Sequence, residues 1–437
     1  MRRSSPILPL LAVAICCAGG RIAAQNAGSQ DQITGVISAP GLTRMVLAMP
    51  AFRLSPITPE ATRNAAAEIQ STLTTDLEFS GYFDVLPPER FSGFGDDPSK
   101  VPFRQWASTG AVALLLGTVT PESGTLMFQG MLFDTQSEQL ILGKRYRGEP
   151  SVARIIAHRL ADEIVLHFTG RMGIAQTHIA VEGRVGKAKE IFTMDYDGQG
   201  LRQMTRNGSL NLSPAFSPDG KKIAFVSYSS GSPRLYVMDP DGKLTDVCPK
   251  EAELCAAPAW SPDGKSVVFS AASAGNSEIY VSDAVEPRPR RLTHDPASDT
   301  SPAYAPDGRQ IAFTSDRAGS PQIYVMDASG SNPRRLTYQG RYNDQAAWSP
   351  DGALIAYAGW TENKFDIFVA DPATGTAKRL TDDLSFNEHP DWSPDGRHIA
   401  FTSNRLGLYQ LFTMDADGGR QLRVKTSFEA SSPSWGR

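Results

Sequence analysis

Cysteine is scarce: there are four in 437 residues, and two of them, Cys16 and Cys17, fall in an N-terminal apolar run. A disulfide-stapled miniature scaffold and a multi-cysteine zinc site are thereby excluded. Histidine is equally thin, with six scattered residues and no His-Glu-x-x-His pair to hold a hydrolytic metal. No Gly-x-Ser-x-Gly elbow is present, so the nucleophile of an α/β-hydrolase is missing. Basic blocks are absent too. The 43 Lys and Arg stand against 47 Asp and Glu, a net charge of −4, which gives nucleic acid no electrostatic footprint. Past residue 17 no apolar run approaches the length of about 18 needed for a membrane-spanning helix. What remains, 41% hydrophobic and 21% charged, is an ordinary globular composition with a large core. Its abundance lies in 38 Gly and 31 Pro, and much of that abundance is periodic.

The first residues read as an export signal. Arg2 and Arg3 form a positive start, Ile7 to Cys17 an apolar stretch too short for a stable anchor, and small residues lead to a cut after Ala24. Neither Cys16 nor Cys17 follows the small residue that a lipidation site requires, so a lipid anchor is not expected. Cleavage removes Arg2, Arg3 and Arg21 and takes the net charge from −4 to −7. The export compartment permits disulfides. Cys248 and Cys255, seven apart, suit a local disulfide across a loop; two free thiols are the alternative, and a metal site would need ligands that are not nearby.

From about residue 178 the chain repeats every 44 residues. The marker is a turn, Ser217-Pro218-Asp219-Gly220, then Ser261 to Gly264, Ala305 to Gly308, Ser349 to Gly352 and Ser393 to Gly396. Proline presets φ, serine bonds back to the backbone, and glycine closes the turn, so these aspartates read as turn chemistry. An aromatic strand precedes each turn, as in Pro258-Ala259-Trp260. A strand apolar at consecutive positions follows, as in Ile311-Ala312-Phe313, and must be covered on both faces. A third strand ends in Asp, and a short fourth reads Arg-Leu-Thr at 291–293, 335–337 and 379–381. Four short strands in such a period predict propeller blades. Ile179 to Asp195 lacks its aromatic strand, and Pro433-Ser434-Trp435 lacks the rest of its unit. The fragments complete one another, which predicts six blades closed by the C-terminal strand.

Residues 25–172 have the texture of an α+β (α/β) domain. Thr58-Pro59-Glu60 starts a helix whose stripe is Ala65, Ile69, Leu73 and Leu77; Ser151 to Phe168 forms a second, with Val152, Ile156, Leu160 and Ile164. Strands are expected at 45–52, 111–118, 126–133 and 140–146. His158 and His167 read as ordinary packing or surface histidines. The expected organisation is a signal at 1–24, an α/β domain with a flexible leading segment at 25–172, and a six-bladed all-β propeller at 173–437. The leading segment is small and polar, and Gln32 to Ile37 could add as a strand to a sheet edge.

If the aromatic strand is innermost, the loops entering it lie opposite the Ser-Pro-Asp-Gly turns and form a mouth. There the repeat presents Asn211, Cys255, Asp299, Asn343, Asn387 and Ala430, followed by Leu212, Ala256, Thr300, Asp344, Glu388 and Ser431. The candidates for partner contact are Asp299, Thr300, Asn343, Asp344, Asn387 and Glu388; the bland alternative is a set of solvated loop residues. Calcium could draw on Asp299, Asp344 and Glu388, but no loop clusters enough oxygens for a dedicated site, so neither metal nor cofactor is expected.

The order of export signal, α/β module and six blades, with Tyr82-Phe83-Asp84-Val85-Leu86, Gly143-Lys144-Arg145-Tyr146 and Ala157-His158-Arg159-Leu160-Ala161-Asp162, resembles the TolB family of the Tol-Pal system. The resemblance implies a non-catalytic periplasmic protein whose propeller binds the outer-membrane lipoprotein Pal. It also implies that the N-terminal segment, here Gln32, Ile33, Thr34, Val36 and Ile37, binds the inner-membrane protein TolA, in support of outer-membrane integrity and constriction at division. The competing reading is an exported propeller that acts as a peptidase, a lyase or a glycan-binding protein.

Overall fold

A computed structural model describes residues 44–437. The export signal at 1–24 and the segment Gln32 to Ile37 lie outside the described residues.

The N-terminal domain is a mixed sheet with helices on both faces. Its strands are β1 (Met45–Ala48), β2 (Arg53–Leu54), β3 (Phe83–Leu86), β4 (Ala113–Glu122), β5 (Thr125–Asp134) and β6 (Leu140–Gly148), in the order β3-β1-β4-β5-β6 with β2 beside β4. β1 runs parallel to β3 and β4, whereas β4, β5 and β6 form antiparallel hairpins. The run Ala113 to Leu116 is apolar at every position because it is covered twice. Leu115 faces α1 (Glu60–Phe79) and α3 (Ala153–Thr169), while Leu114 and Leu116 face Phe91, Trp106 and the short helix α2 (Phe103–Ala107).

Both expected helical stripes are buried except for Val152, which is half-buried; Ile69, Leu73 and Leu77 are buried completely. Each such side chain contributes about 1.5–3 kcal/mol. The starts differ by a residue or two. Thr58 does not cap α1: its hydroxyl donates to Ser55 O at 2.7 Å, and the helix begins at Glu60 after Pro59. Val152 belongs to a 3₁₀ turn, Pro150–Val152, ahead of α3. Gly170, at φ +69°, ends α3 in the left-handed conformation that glycine adopts without strain.

The rest is a six-bladed β-propeller. Blades 1 to 5 are the four-stranded meanders that begin at Asn211, Leu254, Asp299, Asn343 and Asn387. Blade 6 is composite: the C-terminal strand Ala430–Gly436 pairs antiparallel with His178–Val185, Trp435 opposite Ile179, followed by Ala188–Asp195 and Arg202–Gln203. The second strand of each blade is buried on both faces, as at Ile223–Ser227, because neighbouring blades sandwich it. In the turns the serine does the work its chemistry suggests. Ser217 Oγ donates to Asp219 Oδ1 at 2.6 Å and accepts Lys222 N at 2.9 Å, and Gly220, at φ +68°, donates to Ser217 O at 2.8 Å.

One regularity is invisible in the sequence. Every innermost strand carries a bulge, and at each bulge a non-glycine residue has positive φ: Ser213, Ala257, Ser301, Gln345, His389 and Ser432, at 48° to 60°. Six such residues in register line the ring's central channel.

Candidate partner-binding face

The ring has two unlike faces. The turn face carries the Ser-Pro-Asp-Gly turns and the turns between third and fourth strands. Among the described residues, every hydrogen bond between the N-terminal domain and the propeller falls there. Arg397 and Arg420 reach the end of α1, Arg154 on α3 reaches Asp195 and Asp197, and Tyr196 reaches Asp76. The mouth face, made of the hairpins between second and third strands and the loops into each innermost strand, receives none of these bonds.

The predicted mouth residues separate into two groups. Asp299, Asn343 and Asn387 are buried, Asp299 at 0% exposure, so the expectation that they present themselves to a partner is corrected. Asn343 and Asn387 reach back to the preceding blade, whereas Asp299 is held within its own. Asn343 Nδ2 donates to Gln322 Oε1 at 2.9 Å, and Thr337 Oγ1 donates to the same oxygen at 2.9 Å. Asn387 and Thr381 share Asp366 in the same way, and Asn211 and Thr205 share Glu190. At the third junction both positions are acidic, Glu278 and Asp299. Arg291 pairs with Glu278, while Arg317 Nη2 donates to both oxygens of Asp299 at 2.9 and 2.7 Å. Cys255 occupies this position in blade 2 and forms a disulfide with Cys248, Cα–Cα 6.2 Å. Asn211, Cys255, Asn343 and Asn387 are thus inter-blade latches. The signal was available: Thr recurs six residues before Asn211, Asp299, Asn343 and Asn387.

Thr300, Asp344 and Glu388 are half-buried on the mouth side. Asp344 Oδ1 accepts from Thr314 Oγ1 and from Gln345 N, both at 2.7 Å, and Glu388 Oε2 accepts from Tyr409 at 3.0 Å. The three acids considered for calcium thus have separate protein partners. Among the described residues no group of three or more His, Cys, Asp or Glu is placed to hold a metal.

Three features escaped the sequence reading, two on the propeller and one at the domain boundary. An apolar rim stands on blades 4 and 5, where Leu384 is 97% exposed and Tyr338 72%, with Leu406 and Leu408 exposed beside them. Behind it Trp360 packs edge-on against Phe365 at 4.9 Å, and Arg341 lies 5.7 Å from the Trp360 ring. The channel, about 570 Å³, is walled mostly by Ala, Ser and Pro, but on its blade 5 side it holds His389 and Asp391. Burial pushes the Asp391 carboxyl up to about 7, against the N–H groups of Trp435 (2.6 Å) and Trp392 (3.0 Å) that it accepts. His158, read as an ordinary histidine, is buried at the domain boundary, with Nδ1 2.8 Å from Asp76 and Nε2 3.7 Å from Asp195. Burial favours the neutral ring, yet the carboxylates of Asp195 and Asp76 outweigh it and raise its pKa to about 9.

A small α/β domain seated on one face of a six-bladed ring, with apolar side chains exposed on the other, defines a two-domain propeller protein. Residues 166–437 match the family model of the TolB beta propeller domain, and residues 34–141 match that of the TolB amino-terminal domain. The chain belongs to the TolB family. The Tol-Pal system protein TolB of Desulfosudis oleivorans is 36% identical over 204 residues, 46% of each chain. That of Anaeromyxobacter dehalogenans is 38% identical over 211 residues, 46% of this chain and 48% of the relative. These matches span about half the length of the curated relatives. The crystal structure of TolB from Acinetobacter baumannii superposes with a TM-score of 0.78 at 28% identity, covering 90% of this chain and 96% of that one.

Proposed function

We propose that the chain is a non-catalytic, periplasmic component of the Tol-Pal system that binds a Pal-like outer-membrane lipoprotein with its mouth face. Family membership supports the system. The observation that carries the binding face is the asymmetry of the ring: the N-terminal domain takes up the turn face and leaves the mouth open, with Tyr338, Leu384, Leu406 and Leu408 exposed around half-buried Asp344 and Glu388. Exposed aromatic and aliphatic anchors beside arginine and acids are the composition of a protein-binding hot spot. In this reading Thr300, Asp344 and Glu388 touch the partner, while Asp299, Asn343 and Asn387 hold the loops that carry them. Gln32, Ile33, Thr34, Val36 and Ile37 engage a TolA-like inner-membrane protein, and the two contacts together serve envelope integrity and constriction.

Crosslinking in intact envelopes followed by purification tests the reading. A Pal-like lipoprotein is recovered with the native chain and lost with Asp344→Ala/Glu388→Ala. Undiminished recovery with that variant removes the two acids from the interface, and absence of the lipoprotein from the native sample refutes the partner.

A further inference from the structure

We propose that the N-terminal domain locks the propeller's ring closure: the last turn of α1 staples blade 5 to blade 6, so that docking of the domain and seating of the closing strand 430–436 are one cooperative event. Five innermost strands continue through a turn into their own second strand. The sixth, Ala430–Gly436, has no such turn: it meets its neighbour His178–Val185 by strand pairing and by Ser431 Oγ, which donates to Glu182 Oε2 at 3.2 Å. The junction of this strand with blade 5 also lacks the mouth-side latch. Ala430 stands where other blades place Asn, Asp or Cys, and Gln410, at the position of Gln322 and Asp366, keeps a buried Oε1 with no partner.

Compensation lies further along the strand. Between the bulge and the aromatic residue, four blades have alanine: Ala215, Ala259, Ala303 and Ala347. The other two have Asp391, which accepts Trp435 N at 2.6 Å, and Ser434, which accepts Phe216 N at 3.0 Å. Side-chain bridges at this level thus fall at the two junctions that flank the closing strand. At its far end Trp435 Nε1 donates to Thr177 Oγ1 at 2.8 Å, and its ring belongs to a cluster centred on Phe79, the last residue of α1. Phe79 lies 4.5 Å from Tyr196 of blade 6, 4.4 Å from His398 of blade 5 and 6.4 Å from Trp435.

The helix end is held from the propeller. α1 has no basic residue in its last turn, so its terminal carbonyls lack an internal cation. Arg420 donates to Glu78 O and Phe79 O, both at 2.8 Å, and Arg397 donates to Ser80 O at 3.1 Å while lying 4.0 Å over the Tyr82 ring. Asp415 fixes Arg420 at 3.2 Å and His398 at 3.1 Å. One turn earlier, Asp76 accepts from Tyr196 at 2.8 Å. Arg397, His398 and Arg420 belong to blade 5, Tyr196 and Trp435 to blade 6, and the helix end touches both.

Hydrogen exchange on the full-length chain tests the coupling through Phe79→Ala, with Leu115→Ala, which weakens the domain's own core away from the seam, as control. Phe79→Ala is expected to speed exchange at 430–436 and 178–185 at least tenfold while 254–260 and 299–304 keep their native rates; the control leaves 430–436 unchanged. Native protection of 430–436 in Phe79→Ala, or a uniform acceleration over all six blades, overturns the proposal. Should Phe79→Ala not fold, Arg420→Gln keeps the aromatic wedge and reads the same segments. Acceleration confined to 430–436 and 178–185 supports the staple, and its absence contradicts it.

Discussion

The turn face and the mouth face of the ring are built from loops of the same strands, yet they solve opposite problems. On the turn face, arginines, a buried histidine and an aromatic cluster are satisfied by the N-terminal domain, and their value lies in holding the molecule together. On the mouth face Asn211, Asn343 and Asn387 are satisfied between blades, and the loops of blades 4 and 5 leave Tyr338, Leu384, Leu406 and Leu408 outside. The contrast teaches that polarity in a repeat loop does not identify a binding residue; what the neighbouring blade leaves uncovered does.

The contrast can be broken at several points. Removal of 428–437 deletes the closing strand and leaves the edge of His178–Val185 unpaired, and the expected outcome is aggregation or loss of the thermal transition. Unchanged unfolding would refute closure by this strand. Trp435→Ala empties the aromatic cluster at the seam and should cost about 3–5 kcal/mol in denaturant unfolding.

Rising pH loosens the turn face through His158. The folded pKa of His158 lies near 9, above the ordinary 6.5, so its stabilisation is complete below 6.5 and is lost as pH climbs through 9. The loss is on the order of 3 kcal/mol, measured by unfolding between pH 6 and 10, and His158→Gln flattens it. Asn343→Ala removes a latch donor and should cost about 1–2 kcal/mol with little direct effect on partner affinity. Smallest in stability, Tyr338→Ser and Leu384→Asp should each stay within about 0.5 kcal/mol of native, and any effect they have belongs to binding.

The ring was legible because its period is rigid: turns 44 residues apart, a doubly apolar second strand and complementary end fragments specify six blades without long-range information. The helices of the first domain were legible from their stripes. The latches were not, since Asn343 reads as a polar loop residue until Gln322 and Thr337 of the preceding blade close over it. His158 hides for a related reason, its partners Asp76 and Asp195 lying on a different helix and in a different domain. The rim eluded the repeat pattern because Tyr338, Leu384 and Leu408 sit in the loops that vary most from blade to blade.

The central claim is that the mouth, and not the turn face, receives the partner. Titration of the purified chain with the soluble domain of a Pal-like lipoprotein tests it, comparing Tyr338→Ser/Leu384→Asp with His158→Gln. The account predicts at least tenfold weaker binding for the rim variant with native unfolding, and native affinity for His158→Gln. Native affinity in the rim variant together with lost affinity in His158→Gln would contradict it.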